Sequence, residues 1–125
     1  MGSRFTADRG AMQPVLAELG ARGLYFIDSR TTAATVAADM ARAAGLPAAS
    51  RDVFLDNETV AAAVRARLAE AETIARRRGS AIAIGHPHDA TLAALAAWLP
   101  EARARGFTLV PASAVVRLRM QAPAG

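Results

Sequence analysis

The stretch that decides the fold is AIAIGHPHDAT, residues 81–91. Its first four residues, 81–84, are small or branched and apolar, which predicts a buried strand. The Ala/Leu pattern that follows residue 88 has helical spacing. The turn between them holds both histidines of the chain, His86 and His88. The stretch therefore predicts a strand that leads directly into a helix, with imidazole side chains at the junction.

The same alternation runs through the rest of the chain. Short apolar runs predict further strands at 24–27, 53–55 and 107–110, and amphipathic patterns predict a helix before each strand. Helix and strand then alternate four times. This order indicates an α/β fold with a mostly parallel sheet, because right-handed crossovers join strands that point the same way. The tail, 115–125, reads as a last strand that frays.

Polar residues at the predicted helix starts are expected to cap them. Ser29 or Thr31 would cap the second helix, and Asn57 would cap the third. Gly79 is expected to end the third helix.

Composition bounds the classes of function. With 53% hydrophobic residues the 125-residue chain is expected to bury the core of one domain, and no apolar run is long enough for a membrane span. The absence of cysteine excludes disulfides and thiolate metal sites.

All the basic residues behind the net charge of +4 are arginines. The arginine cluster 76–78 is expected to offset a helix dipole, so no nucleic-acid partner is predicted. Residues 1–10 lack the apolar segment of a secretion signal.

In parallel α/β folds, ligands bind beyond the carboxyl ends of the strands, an edge referred to below as the rim. His86 lies there between a glycine and a proline, so its ring is held stiffly, which suits a metal ligand or a general acid or base. The other polar residues predicted at the rim are Asp28, Arg30, Arg51, Asp52, Asp56, Asn57 and His88.

Most of these residues have a second interpretation. Asp28 is either catalytic or part of a helix cap. Arg30 either clamps a carboxylate or phosphate or pairs with a rim carboxylate such as Asp28 or Asp52. His88 completes an H-x-H pair that can chelate, but such pairs are also common by chance. No glycine-rich nucleotide loop and no G-x-S-x-G motif is present.

Five segments stand out in order along the chain: MGSRFT (1–6), LYFIDSRTT (24–32), RDVFLDN (51–57), AIAIGHP (81–87) and LVPAS (109–113). Taken together they resemble the divergent polysaccharide deacetylase family, a bacterial and largely periplasmic group related to the NodB-type carbohydrate esterases. The resemblance implies the C-terminal part of a distorted (β/α) NodB-like barrel. It also implies a divalent metal, zinc, and hydrolysis of acetyl groups on a polysaccharide or oligosaccharide.

The resemblance also implies roles for individual residues. His86 would be the metal ligand and a catalytic residue, and Asp28 and Asp52 would be the other catalytic residues. Residues that shape the substrate site would be Ser3, Arg30, Arg51, Asp56 and Asn57. His88 lies outside the recognised pattern.

One departure from the family affects the expected activity. The family's Asp-Asp strand end and the His that precedes Met-Gly-Ser do not occur in this sequence. The chain is therefore expected to represent a partial domain over 1–114, followed by a C-terminal tail at 115–125. We expect this chain alone to be inactive and to self-associate through exposed sheet edges. The full-length protein would be periplasmic.

Two other functions remain open from the sequence. A non-catalytic relative would bind a glycan or a cell-envelope partner on the same rim. An open flavodoxin-like sheet would instead bind a small anion at helix starts near Ser29 and Asp89.

Overall fold

The computed structural model describes residues 2–121 of the chain. In these residues the elements follow in the order α1 (Gly2–Thr6), α2 (Arg9–Ala21), β1 (Phe26–Asp28), α3 (Ala37–Ala43), β2 (Ala48–Ser50), β3 (Val53–Phe54), α4 (Ala61–Arg78), β4 (Ala83–Ile84), α5 (Asp89–Ala104) and α6 (Ala112–Gln121). They form two compact units. The first unit holds 2–50 and 112–121, and the second holds 51–111.

The first unit is built on a parallel pair of strands. β1 pairs with β2 in a register that places Phe26 beside Ala48. A core that includes Met12 and Leu16 of α2 and Ala41 of α3 buries apolar surface around this pair. The Asp8 side chain accepts the Ala11 N–H at 3.1 Å and so caps α2, since the first N–H groups of a helix need an outside acceptor.

The second unit repeats the parallel arrangement. β3 and β4 pair with Phe54 beside Ile84. The buried residues Leu55, Val64 and Leu68 belong to the core that packs this pair against α4 and α5. Strands of this length are not stable alone, so the two long helices hold them in register. The predicted α/β class with parallel strands is therefore confirmed in both units.

The last two predicted strands are wrong. Residues 107–110 form no strand. Phe107 instead donates its N–H to the Ala102 carbonyl at 3.1 Å and lies under the Arg76 guanidinium at 4.8 Å. The described part of the tail is helix α6, whose buried Val115 and Val116 show that packing overrides strand propensity. Residues 122–125 of the predicted tail lie outside the described residues.

The capping predictions are also wrong at both helices. Val36 precedes α3 and Val60 precedes α4, and neither provides a side-chain cap. Residues 29–36 form a loop, so α3 begins later than Ser29 or Thr31 would require. The predicted end of α4 at Gly79 is confirmed, since this glycine has φ of 92° and donates its N–H to the Ala75 carbonyl.

The strand predicted at 81–84 is shorter and more open than expected. Only Ala83–Ile84 forms β4, with Ile82 buried before it and Ala83 exposed. Within residues 2–121, every helix is too short or too polar to serve as a membrane span.

Candidate metal centre

The carboxyl ends of β3 and β4 bring a carboxylate and an imidazole together. The paired residues Phe54 and Ile84 are 30 positions apart, and so are Asp56 and His86. Because parallel strands keep a constant offset, the two site residues emerge side by side, two positions after the paired ones. The register of the ladder therefore determines this contact.

Three hydrogen bonds hold the Asp56 carboxylate, whose side chain has no exposed surface. Its Oδ2 accepts the His86 backbone N–H at 2.5 Å and the Thr91 hydroxyl at 2.8 Å. Its Oδ1 lies 2.9 Å from the His86 Nδ1. A buried carboxylate requires such donors because it has lost its hydration.

These donors determine the ionisation of Asp56. Burial by itself would raise the pKa of this carboxyl, since it disfavours the charged form. The hydrogen bonds from the His86 ring, the His86 N–H and Thr91 outweigh burial and lower the pKa to about 2. Asp56 is therefore an anion at neutral pH.

An anionic Asp56 selects one tautomer of the His86 ring. A carboxylate only accepts hydrogen bonds, so the Nδ1 that faces it at 2.9 Å carries the proton. This assigns the lone pair of neutral His86 to Nε2. A carboxylate that orients an imidazole in this way is a common second partner of metal-binding histidines.

His88 lies beside this pair. It precedes α5 as the N-cap residue, and its N–H donates to the His86 carbonyl at 2.9 Å. The two imidazole centroids are 5.7 Å apart. Ligand atoms of Asp56, His86 and His88 all lie within 4.8 Å of one another, and these three residues are called the candidate metal centre below.

The donor chemistry of this centre fits a divalent transition metal. Imidazole is a donor type that zinc accepts, and the Asp56 carboxylate, whose two oxygens are engaged by His86 and Thr91, orients one of the two imidazoles. Both histidines are exposed, so an ion has access to them. Asp56 supplies a negative charge beneath them, which favours a cation.

Two side chains extend the centre along one side. The Phe54 ring lies 5.5 Å from the His86 ring, and the Arg51 guanidinium lies 5.4 Å above the Phe54 ring. Arg51, Phe54, His86 and His88 therefore form a continuous row of planar groups, called the planar row below.

Gly85 allows the two strand ends to approach closely. A Cβ atom at this position would lie 3.1 Å from the Asp56 Oδ2 and 3.3 Å from the Leu55 Cβ. Both distances are tighter than ordinary carbon contacts, so a larger residue would displace the carboxylate. The glycine before the histidine thus acts by its small size.

The other predicted site residues of the second unit lie close in sequence to this centre. Asp52 accepts the Ile82 N–H on its carboxylate at 2.7 Å and donates its own N–H to the Ile82 carbonyl. These two hydrogen bonds hold the backbone of Ile82, the residue that precedes β4. Asn57 is exposed directly after Asp56. The catalytic role of Asp52 and the substrate role of Asn57 stay predictions.

The predicted site residues of the first unit form a separate network. The buried Asp28 accepts the Arg30 N–H at 2.9 Å and the Thr35 hydroxyl at 2.9 Å. Arg30 has φ of 53°, a left-handed conformation that this hydrogen bond helps to hold. Ser3 of α1 shares a 2.6 Å hydrogen bond with Thr31. The roles predicted for Asp28, Arg30 and Ser3 stay predictions.

Sequence reasoning gave too little weight to His88 and missed Thr91. The H-x-H spacing was a signal for His88, but the spacing alone does not show that both rings face one carboxylate. Thr91 gave no signal, because a threonine in the first turn of a helix is ordinary. The sequence places Asp56 and His86 at two predicted strand ends, but their contact follows from a strand register of 30 positions that only the structure shows.

Comparison with known proteins places the chain in a family. A sequence profile described as "Divergent polysaccharide deacetylase" matches residues 1–116. The chain belongs to this family. The resemblance noted in the sequence is thereby confirmed, and the family indicates a carbohydrate-related function.

Three relatives show how much of the family's length this chain spans. It is 42% identical over 95 residues to the uncharacterized protein YibQ of Escherichia coli, covering 76% of this chain and 30% of that protein. It is 41% identical over 99 residues to an uncharacterized protein of Haemophilus influenzae, covering 79% and 35%. The crystal structure of the uncharacterized protein ATU2773 from Agrobacterium tumefaciens matches at a TM-score of 0.88 and 37% identity, covering 90% and 46%. The chain thus spans about a third of the curated relatives' length.

Proposed function

We propose that this chain carries part of the active site of a metal-dependent hydrolase that removes acetyl groups from a polysaccharide. The observation that carries the proposal is the convergence of Asp56, His86 and His88 within 4.8 Å at the ends of two parallel strands. Because the chain covers only part of its relatives' length, the activity is proposed for the protein of that length.

In this proposal the two histidines hold zinc and Asp56 supports them. Bound zinc would supply a Lewis acid for the acetyl carbonyl and lower the pKa of water. Asp56 keeps the proton on the His86 Nδ1, which leaves Nε2 to bind the ion or to exchange a proton with substrate.

Metal binding by the 125-residue chain is the first test, because all three side chains lie in one unit. We expect the chain to bind Zn²⁺ with one ion per molecule in a competition assay with a chromogenic chelator. The substitution His86→Ala should abolish this binding. Glu70→Gln, on the exposed face of α4, is the matched control and should leave it unchanged.

Acetate release from an acetylated chitooligosaccharide is the second test. We expect release by the protein of the relatives' length, its loss after chelation, and its recovery on adding Zn²⁺. A wild-type chain that binds no Zn²⁺, Co²⁺ or Mn²⁺ would refute the metal centre. Release that persists unchanged in a chelated sample would refute the metal dependence.

A second candidate function is glycan binding without catalysis. The planar row favours it, because ring faces stack on the apolar faces of sugars and a guanidinium donates to their hydroxyls. Chitooligosaccharide binding that resists chelation, is lost in Phe54→Ala and occurs without acetate release would support this function over the first.

The location proposed for the protein is the periplasm, as the family resemblance implies. Fusion of the protein of the relatives' length to alkaline phosphatase, which is active only after export, tests this location.

A further inference from the structure

Thr91 is a buried polar residue that contacts the carboxylate of the candidate metal centre. It lies in the first turn of α5, three residues after the N-cap His88, and only 1% of its surface is exposed. Its hydroxyl donates to the Asp56 Oδ2 at 2.8 Å. A buried hydroxyl is costly unless it is bonded, so this contact accounts for a polar residue at this position.

The hydrogen bond fixes the rotation of the carboxylate. The Asp56 Oδ2 receives the Thr91 hydroxyl and the His86 N–H together. With Oδ2 so engaged, Oδ1 is left to face the His86 Nδ1 at 2.9 Å. Loss of the Thr91 donor would leave one lone pair unsatisfied and allow the carboxylate to turn away from the ring.

The same residue connects His88 to this pair. The Leu92 N–H donates to the His88 carbonyl at 2.9 Å, so His88 moves with the first turn of α5. Thr91 anchors that turn to Asp56. The Thr91 hydroxyl therefore helps to position the His88 ring, together with the hydrogen bond from the His88 N–H to the His86 carbonyl.

We propose that Thr91 is a positioning residue of the candidate metal centre, which fixes the His86 tautomer and the approach of His88 through the Asp56 carboxylate. The part of this proposal that concerns metal affinity rests on the proposed function. The part that concerns the tautomer does not.

The experiment compares Thr91→Val, which keeps the shape and removes the donor, with Thr91→Ser, which keeps the donor. Histidine ¹⁵N correlation spectra of the metal-free chain report which ring nitrogen of His86 carries the proton. Co²⁺ titration, followed by its visible absorption, reports affinity. We expect that the Nδ1–H form of His86 no longer predominates in T91V. We also expect T91V to bind Co²⁺ about tenfold more weakly, which is the smaller of the losses in affinity found when groups that orient metal ligands are removed. T91S should resemble wild type in both readouts.

A folded T91V chain with the wild-type tautomer and wild-type Co²⁺ affinity would overturn the proposal. A purely structural role would lower thermal stability in T91V while leaving the tautomer unchanged. If T91V does not fold, the smaller T91A replaces it with the same expectations. If wild type binds no Co²⁺, the proposed metal centre fails, and the tautomer spectra alone decide the role of Thr91.

Discussion

At the scale of single residues, Asp56 is expected to contribute to stability through its charge, because it is an anion whose side chain has no exposed surface. Its pKa in the folded chain is about 2, against an ordinary value of 3.8. A lowered pKa means that the carboxylate stabilises the fold at pH values above its ordinary pKa. This contribution is lost as pH falls through the window between the two values.

The first prediction concerns Asp56→Asn. We expect the substitution to destabilise the chain at about pH 5, since the amide is neutral and an NH₂ group facing the His86 N–H or Thr91 cannot accept their hydrogen bonds. The difference from wild type should shrink as pH is lowered to about 2, where Asp56 itself becomes protonated. Urea unfolding of both proteins across this range measures it. A difference that is independent of pH would contradict the charged state of Asp56.

The second prediction concerns Gly85→Ala. The added Cβ would lie 3.1 Å from the Asp56 Oδ2, so we expect a loss of about 1–3 kcal/mol in the free energy of unfolding. The matched control is Gly20→Ala in α2, where the nearest atom, the Leu46 Cδ1, is 4.0 Å away. That change should stabilise by about 0.5–1 kcal/mol through helix propensity. Chemical denaturation of both variants and the wild type measures these changes. Equal stability of Gly85→Ala and Gly20→Ala would refute the prediction.

At the scale of elements, α4 and α5 are held together by a partly buried ion pair as well as by their apolar faces. The Arg105 Nε donates to the Glu72 Oε1 at 2.6 Å, and only 9% of the Glu72 side chain is exposed. The hydrogen bond from Arg105 lowers the pKa of Glu72 and outweighs burial, which raises it. The same contact raises the pKa of Arg105.

The third prediction concerns Glu72→Gln. We expect it to lower the free energy of unfolding by about 1 kcal/mol at neutral pH, because a hydrogen bond to a charged partner is weakened in a site with little water. The control Glu70→Gln breaks the exposed pair with Arg67 and should change it by less than about 0.5 kcal/mol. Because the pKa of Glu72 is lowered, the Glu72 effect should begin to shrink below the ordinary pKa and disappear as pH falls through the lowered pKa of the folded state. Thermal unfolding at neutral and acidic pH distinguishes these results.

The elements also show what local pattern is able to predict. Helices α2, α4 and α5 were predicted because their apolar positions recur over many turns, a signal that few competing contacts override. Residues 107–110 form a loop although their apolar run predicts a strand, since such a short run has no period that distinguishes the two. Helix α6 was missed because its paired valines favour strands by propensity.

At the scale of the whole molecule, the first unit keeps an apolar surface open. Leu24, Tyr25 and Met120 are each about half exposed, and all three line a cavity of about 470 Å³. In the part of the chain that the structure describes, β1 pairs with β2 only, so its other edge has no strand partner. An open edge beside exposed apolar side chains favours association.

The fourth prediction is that the isolated chain self-associates through this edge. We expect light scattering after size exclusion to show a mass above 13.0 kDa that rises with concentration. Tyr25→Lys should shift the chain toward the monomer, because a charge at the edge opposes pairing. Val60→Lys, at an exposed apolar site in the second unit, is the control. A wild-type chain that stays monomeric at all concentrations would refute the prediction.

The sequence by itself determined the class of fold, the order of most elements and the strand ends at which polar residues gather. The elements follow from the periodicity of apolar residues within each segment. The common direction of the strands follows from the alternation of helices and strands along the chain. The sequence also predicted His86 and Asp56 as site residues. Tertiary structure alone decided that Asp56, His86, His88 and Thr91 meet. Asp56 is 30 residues from His86 and 35 residues from Thr91 in the sequence. Contacts over such distances depend on strand register and on the packing of α5, which no local pattern encodes.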